Sequence, residues 1–280
     1  MFGSMQHHYP LPNQHPQITA RLEQGVLTLR LGTDQAPLAL DVPAIELLNQ
    51  LFWQVAQDPQ VRVLVLRGQG RHFGLGLDIQ DMESQYAQQP SRVHQALYAL
   101  LQWGNGQLRR MPQAVLALIQ GQCAGAAITL VQGCDIALSE HGAQFSFTAA
   151  DAHWLALEPA AQPRADWLSA RALHFHCVSG QAASGLEAER MGLVTFSHPE
   201  ESLDQALSDL VTSLREKDPL ALQFTKETLA HVGSMSWDAA VSYTAAKFAE
   251  IKARQADRPS TRASAIAGFL AGKNKPGLSG

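Results

Sequence analysis

Cysteine is scarce in this chain, with three residues in 280: Cys123, Cys134 and Cys177. An odd number in apolar surroundings, without metal-ligand spacing, argues against a disulfide-stapled scaffold and fits reduced, buried thiols in a cytoplasmic protein. An excess of positive charge is also missing. Twenty-one Lys and Arg stand against twenty-five Asp and Glu, for a formal net charge of −4. No basic stripe for nucleic acid follows from that balance. No apolar run reaches the length that spans a bilayer, so no membrane partner is expected. Cofactor and nucleophile signatures are absent as well. Gly74-x-Gly76 precedes a helix, but the third glycine of a dinucleotide fingerprint would fall on Ile79. There is no phosphate loop ending in Gly-Lys-Ser/Thr and no Gly-x-Ser-x-Gly elbow. His174-x-His176 stands alone on an apolar helix and reads as structural or exposed, so no metal site is expected.

What is present is an ordinary globular composition, 46% apolar and 16% charged. Gly3-Ser4-Met5 beside His7, His8 and His15 resembles a cloning scar, so residues 1–16 are set aside as tag-like and disordered. Gly25 to Leu31 alternates apolar and polar residues as a strand does. Asp41 is an N-cap candidate, with Pro43 in the first turn, for a helix carrying Val42, Ile45, Leu48, Leu51, Phe52 and Val55 on one face. Val61 to Leu66 is a nearly continuous apolar strand suited to a covered parallel sheet. Phe73 to Met82 is a glycine-spaced loop opening a helix, and Ser91 to Arg110 reads as one long helix. Ala114 to Ser139 reads as a buried strand, a tiny-residue turn, a short apolar helix and another strand. This alternation predicts an α/β domain on a mostly parallel sheet over 17–200, then helices over 201–280.

Two small-residue loops, around Gly74–Leu77 and Gly125–Ala127, each end a strand and open a helix. Side by side at the carboxyl edge of a sheet, such loops converge two backbone N–H groups on one oxygen. The alternative is a pair of tight turns that merely let helix and strand pack closely.

The motifs Phe73-x-x-Gly-x-Asp-Ile-x-x-Met82, Ile119-x-Gly121, Gly125-Ala-Ala, Cys134-Asp-Ile136 and Ala143-Gln-Phe145 occur in order. Ser179-Gly-Gln, Ala188-Glu-Arg-Met-Gly-Leu-Val194 and Phe269-Leu-Ala-Gly-Lys-Asn-Lys-Pro276 follow. This set resembles the crotonase (enoyl-CoA hydratase/isomerase) superfamily from about residue 18 to 276. The resemblance implies a spiral of ββα units and a C-terminal helical region that makes homotrimers or hexamers. It implies an acyl-CoA substrate of fatty-acid-type metabolism, with the thioester oxygen between the amides of Leu77 and Ala126. Ala39, Leu77, Asp78, Ile79 and Gln80 would line the CoA and acyl path, and Phe269 and Lys273 would lie near its nucleotide. No cofactor beyond the CoA, or a phosphopantetheine arm, is implied.

The sequence departs from the hydratases it resembles at both catalytic glutamates. Their positions hold Thr129 and Ala149, and neither side chain is a carboxylate base. The wall beyond reads Leu155-Ala-Leu-Glu-Pro-Ala-Ala-Gln-Pro163 and offers Asp151, His153 and Glu158 as candidate acid or base. The expectation is therefore an acyl-CoA enzyme working through an enolate, isomerase- or decarboxylase-like rather than a two-glutamate hydratase. The alternatives are a non-catalytic acyl-CoA or acyl-carrier binding subunit, or a hydratase with a displaced acid/base.

Overall fold

The computed structural model describes residues 7–147, 169–256 and 267–271. Asp151, His153, Glu158, Ala149 and Lys273 lie outside the described residues.

The core sheet has seven strands in the order β1 (His7–His8), β2 (Ile18–Glu23), β3 (Val26–Leu31), β4 (Val63–Gly68), β5 (Ala114–Ile119), β7 (Ile136–Glu140) and β10 (Phe196–His198). From β3 onward every pairing is parallel, while β1–β2 and β2–β3 are antiparallel. Strand β5 is buried along its whole length, as its unbroken apolar run requires of a strand covered on both faces. Its alternate residues serve two layers. Ala114 and Leu116, with Val63 and Val65 of β4, meet Leu207, Leu210, Val211 and Leu214 of the helix Glu200–Glu216. Val115, Ala117 and Ile119 face the main core with α1 (Val42–Gln57).

Helix α1 begins as its sequence requires. Asp41 Oδ1 accepts from the Ala44 amide at 2.7 Å, Pro43 sits in the first turn, and Val42, Ile45, Leu48, Leu51, Phe52 and Val55 are buried. The long helix expected over Ser91 to Arg110 is present and carries a π-helical turn inside it. After α2 (Ile79–Gln88) come α3 (Pro90–Gln102), a π-helical turn over Trp103–Gln107 and α4 (Leu108–Arg110). Gly104 and Gly106 give the wide turn its backbone freedom.

A second, smaller layer sits at the carboxyl ends of the core strands. It holds β6 (Gln122–Ala124), β8 (Gln144–Ser146) and β9 (Ala183–Ser184), with β6 and β8 parallel. Two single bridges extend it backwards, Gly74 with Cys123 and Leu40 with Leu77. The chain thus repeats one course: a core strand, a short piece in the second layer, then a helix. β3, Leu40 and α1 make one turn; β4, Gly74–Leu77 and α2 the next; β5, β6 and α5 (Ala127–Gly133) the third. This is the expected spiral of ββα units.

The chain divides into two compact units, Met1–Pro219 and Leu220–Gly280. Pro219–Val232 opens at their boundary, and it and Trp237–Ala256 in the second are helical as expected. Lys247 there bonds Glu227 at 2.6 Å and Glu250 at 3.0 Å and lies over the Phe224 ring.

His7 to Gln17, within or beside the stretch set aside from sequence, pack on the core sheet and α1. His7 and His8 pair with Leu22 and Arg21, and Tyr9 is buried with its hydroxyl donating to Asp58 Oδ2 at 2.9 Å. Burial, then the bond to Asp58 and its charge, push the Tyr9 hydroxyl from 10.0 up to about 12. Between those values the unfolded chain releases this proton while the folded chain keeps it, so stability falls as pH rises. The melting temperature should therefore drop more steeply from pH 10 upward in the native protein than in Tyr9→Phe. Equal slopes in a thermal-unfolding series would remove Tyr9 as the cause.

Candidate active site

The second layer brings the two small-residue loops together. The Phe73 and Gly74 amides donate to Gln122 O at 2.9 and 3.2 Å, and the Ala124 amide returns a bond to Gly74 O at 2.9 Å. On the other side the Leu40 amide donates to Gly76 O at 2.7 Å and the Asp78 amide to Leu40 O at 3.0 Å. The loop carrying Leu77 is therefore a strand-like piece held on both edges.

This pairing decides where the Leu77 amide points. Gly76 C=O and Leu77 N–H belong to one planar trans peptide and face opposite ways. Pinning the carbonyl to Leu40 aims the N–H away from Leu40, and it has no partner among the described residues. The Gly125–Ala126 peptide is set in the same manner. Gly125 O accepts from the Ile128 amide at 2.8 Å, so the Ala126 N–H points back out of α5 and is likewise unpartnered among the described residues. The two segments touch. A β-carbon placed on Gly76 would lie 2.9 Å from Ala124 O, 3.2 Å from Ala126 N and 3.4 Å from Gly125 Cα. Gly76 has φ +88° and Gly125 φ +47°, conformations that favour glycine. Ala126 is buried and Leu77 half-buried, so two bare donors stand at the edge of the core. Bare buried N–H groups are uncommon in folded proteins, where most find a partner.

The side chains behind this pair are committed to structure. Thr129, fully buried, donates its hydroxyl to Ala126 O at 2.6 Å and so braces the turn. Asp78 caps α2 by accepting from the Asp81 amide at 3.0 Å, and Asp81 accepts from the Val42 amide at 3.0 Å. Asp135, read from sequence as architectural, accepts from the Val115 amide at 2.7 Å. Ala39, Asp78 and Ile79 are half-buried and Gln80 is exposed, so the stretch beside the bare amides remains open. Phe269, in the other compact unit, is exposed. His174 is exposed and contacts Ala170 O, while His176 is buried, contacts Gln181 O through Nδ1 and stacks on Phe147. They serve as a surface residue and a packing residue.

Sequence reasoning missed the contacts that brace this edge from the N-terminal side, made by His15 and Gln17. Pro10, Pro12 and Pro16 were the available signal, since prolines so spaced favour an extended segment that needs something to lie on.

A strand, a short second-layer strand and a helix, repeated around two bare amides, define a crotonase-fold protein. The model of the enoyl-CoA hydratase/isomerase family matches residues 21–266, and the chain belongs to that family. It is 24% identical to a hydroxycinnamoyl-CoA hydratase-lyase of Pseudomonas fluorescens over 93% of this chain and 95% of that one. It is 28% identical to a peroxisomal Δ(3,5)-Δ(2,4)-dienoyl-CoA isomerase of Arabidopsis thaliana, over 68% of this chain and 71% of that one. The crystal structure of an enoyl-CoA hydratase/isomerase from Marinobacter aquaeolei shares the fold, with a TM-score of 0.81 at 22% identity, covering 94% and 99% of the two chains. Among the described residues no helix is long and apolar enough to cross a membrane.

Proposed function

We propose that this protein is an acyl-thioester enzyme that holds the thioester oxygen between the Leu77 and Ala126 amides and stabilises an enolate there. The observation that carries this reading is the pair of N–H groups, unpartnered among the described residues, on touching backbone segments, each aimed by a pinned peptide plane. Donors fixed in advance on a developing oxyanion contribute roughly 2.7–4 kcal/mol each, judged by removing one. Relatives named for hydroxycinnamoyl-CoA and dienoyl-CoA support a thioester ligand. In this reading CoA or a phosphopantetheine arm runs past Ala39 and Leu77 to Gln80, and no other cofactor is needed.

The Thr129 hydroxyl is spent on Ala126 O, so no base stands on α5 at the first hydratase position. The proton is instead moved by one of Asp151, His153 and Glu158. Isomerisation or decarboxylation through the enolate fits this arrangement better than two-glutamate hydration. Assembly as a trimer or a pair of trimers completes the reading. It is supported by the twenty-residue helix Trp237–Ala256, which buries none of its residues within one chain and exposes Trp237, Val241 and Phe248.

The test is deuterium uptake at the α-carbon of butyryl-CoA in heavy water, followed by mass spectrometry. Uptake is expected, and one of Asp151→Asn, His153→Gln or Glu158→Gln should slow it about 100-fold or more. Hydration of crotonyl-CoA as fast as isomerisation of a 3-enoyl-CoA would overturn the preference against hydration. Tight binding of several acyl-CoAs without uptake would identify a binding subunit instead.

A further inference from the structure

The N-terminal segment lies along α1 from end to end, in the opposite direction. Tyr9 bonds Asp58 just past the helix, Pro10 O accepts from Gln54 Nε2 at 3.0 Å, and Asn13 Nδ2 donates to Gln50 Oε1 at 3.2 Å. The segment ends at the start of α1, where His15 Nε2 lies 3.3 Å from both carboxylate oxygens of Asp41. His15 is the most committed residue of this strap. Its side chain is only 7% exposed, and its Nδ1 accepts from the Gln17 amide at 3.2 Å. That bond leaves the proton on Nε2, which donates to Asp41. Gln17 then ties into the same corner, giving Nε2–H to Pro37 O at 3.4 Å and accepting from the Gly32 amide at 2.7 Å.

Asp41 is wedged between the strap and the loop that carries Leu77. The residue before it, Leu40, donates to Gly76 O and accepts from the Asp78 amide; the residue after it, Val42, donates to Asp81 Oδ2. The Leu40 bond fixes the plane of the Gly76–Leu77 peptide, and therefore the direction of the Leu77 N–H. A short bond to that carbonyl also polarises the peptide and strengthens its N–H as a donor.

We propose that His15 is a positioning residue for the Leu77 amide, acting through Asp41 and Leu40, so that this one contact, rather than the strap as a whole, sets the strength of the oxyanion grip. This rests on the oxyanion reading of Leu77 and Ala126. Without the His15 bond, Asp41 still caps α1 through Ala44, but the extended Leu38–Leu40 piece loses its buried brace on the strap side and the peptide plane is free to tilt. Small misplacements of a catalytic donor are known to be costly out of proportion to the stability lost.

Three variants test this. His15→Leu fills a similar volume without a donor, His15→Gln keeps a donor that reaches Asp41, and Asn13→Ala loosens the same strap two residues away. The readouts are the carbonyl stretching frequency of bound carbonyl-labelled butyryl-CoA, α-proton exchange, and the dissociation constant. In the native protein the stretch should fall below its solution value. In His15→Leu it should return part-way and exchange should slow about tenfold, with the dissociation constant changed less than about twofold. His15→Gln should restore both readouts, and Asn13→Ala should leave both as in the native protein. A native protein whose bound carbonyl keeps its solution frequency overturns the oxyanion reading and this proposal with it. A shifted native protein with His15→Leu shifted equally overturns this proposal alone, as does Asn13→Ala behaving like His15→Leu.

Discussion

Gly76→Ala should slow α-proton exchange on an acyl-CoA about 100- to 1,000-fold, the loss expected when an oxyanion donor is removed. The residue stands at φ +88°, where a side chain is strained, at a cost of about 1–3 kcal/mol. The larger effect is geometric. A methyl group would meet Ala124 O at 2.9 Å and Ala126 N at 3.2 Å, and both are backbone atoms that cannot swing aside. The loops must part, and with them the two N–H groups that have to meet one oxygen. Gly142→Ala is the comparison, because nothing among the described residues lies within 4 Å of its added carbon, and it should leave exchange unchanged. If Gly76→Ala melts earlier but exchanges at the native rate, the two amides are not the oxyanion donors.

The second large effect is on stability. Trp103→Ala should cost about 3–5 kcal/mol in urea unfolding, the usual loss for emptying a large aromatic site in a core. Trp103 is fully buried in the π-helical turn, edge-on to Phe52 with ring centres 5.6 Å apart. It is also the seat of α5. A β-carbon on Gly133 would stand 3.0 Å from Trp103 O and 2.7 Å from a Leu108 methyl, so α5 rests directly on this turn. Arg109 fastens the contact, its guanidinium donating to Gly104 O at 3.0 Å and to Gln132 O at 2.7 Å. Trp103→Phe should cost much less. The indole N–H has no partner among the described residues, so removing it strands no acceptor. A loss as large as that of Trp103→Ala would show that the N–H does have a partner.

The core of the fold was legible in sequence wherever burial wrote a pattern. The apolar runs of β4 and β5 and the Asp41-capped face of α1 left periodic marks, and those elements formed where they were expected. The short pieces did not. β9 is two residues and β10 three, too short for any periodicity, and they form because neighbouring strands offer them open edges. β2 does alternate, with Ile18 and Ala20 buried, yet it sits beside a stretch dismissed for its histidines. The π-helical turn at Trp103 widens a helix whose periodicity reads as regular, and α5 packs against it. At the site, the glycine spacing pointed to the two turns. What only the fold supplies is their adjacency, because Gly74–Leu77 and Gln122–Ala126 are neighbours through second-layer pairing across some fifty residues. The brace from His15 was invisible for the same reason.

A grip made of peptide bonds cannot be deleted by exchanging one side chain for another. Every residue brings an N–H except proline, so in the proposed reading the identities of Leu77 and Ala126 are almost immaterial to the hold on the oxygen. Inheritance must therefore guard the curvature of the chain, at Gly76 and Gly125, more than any reactive group. The facing wall is under no such restraint. Thr129 itself serves the turn, through its bond to Ala126 O. A lineage built this way can replace its reaction while keeping its handle, which is how one fold comes to host many chemistries.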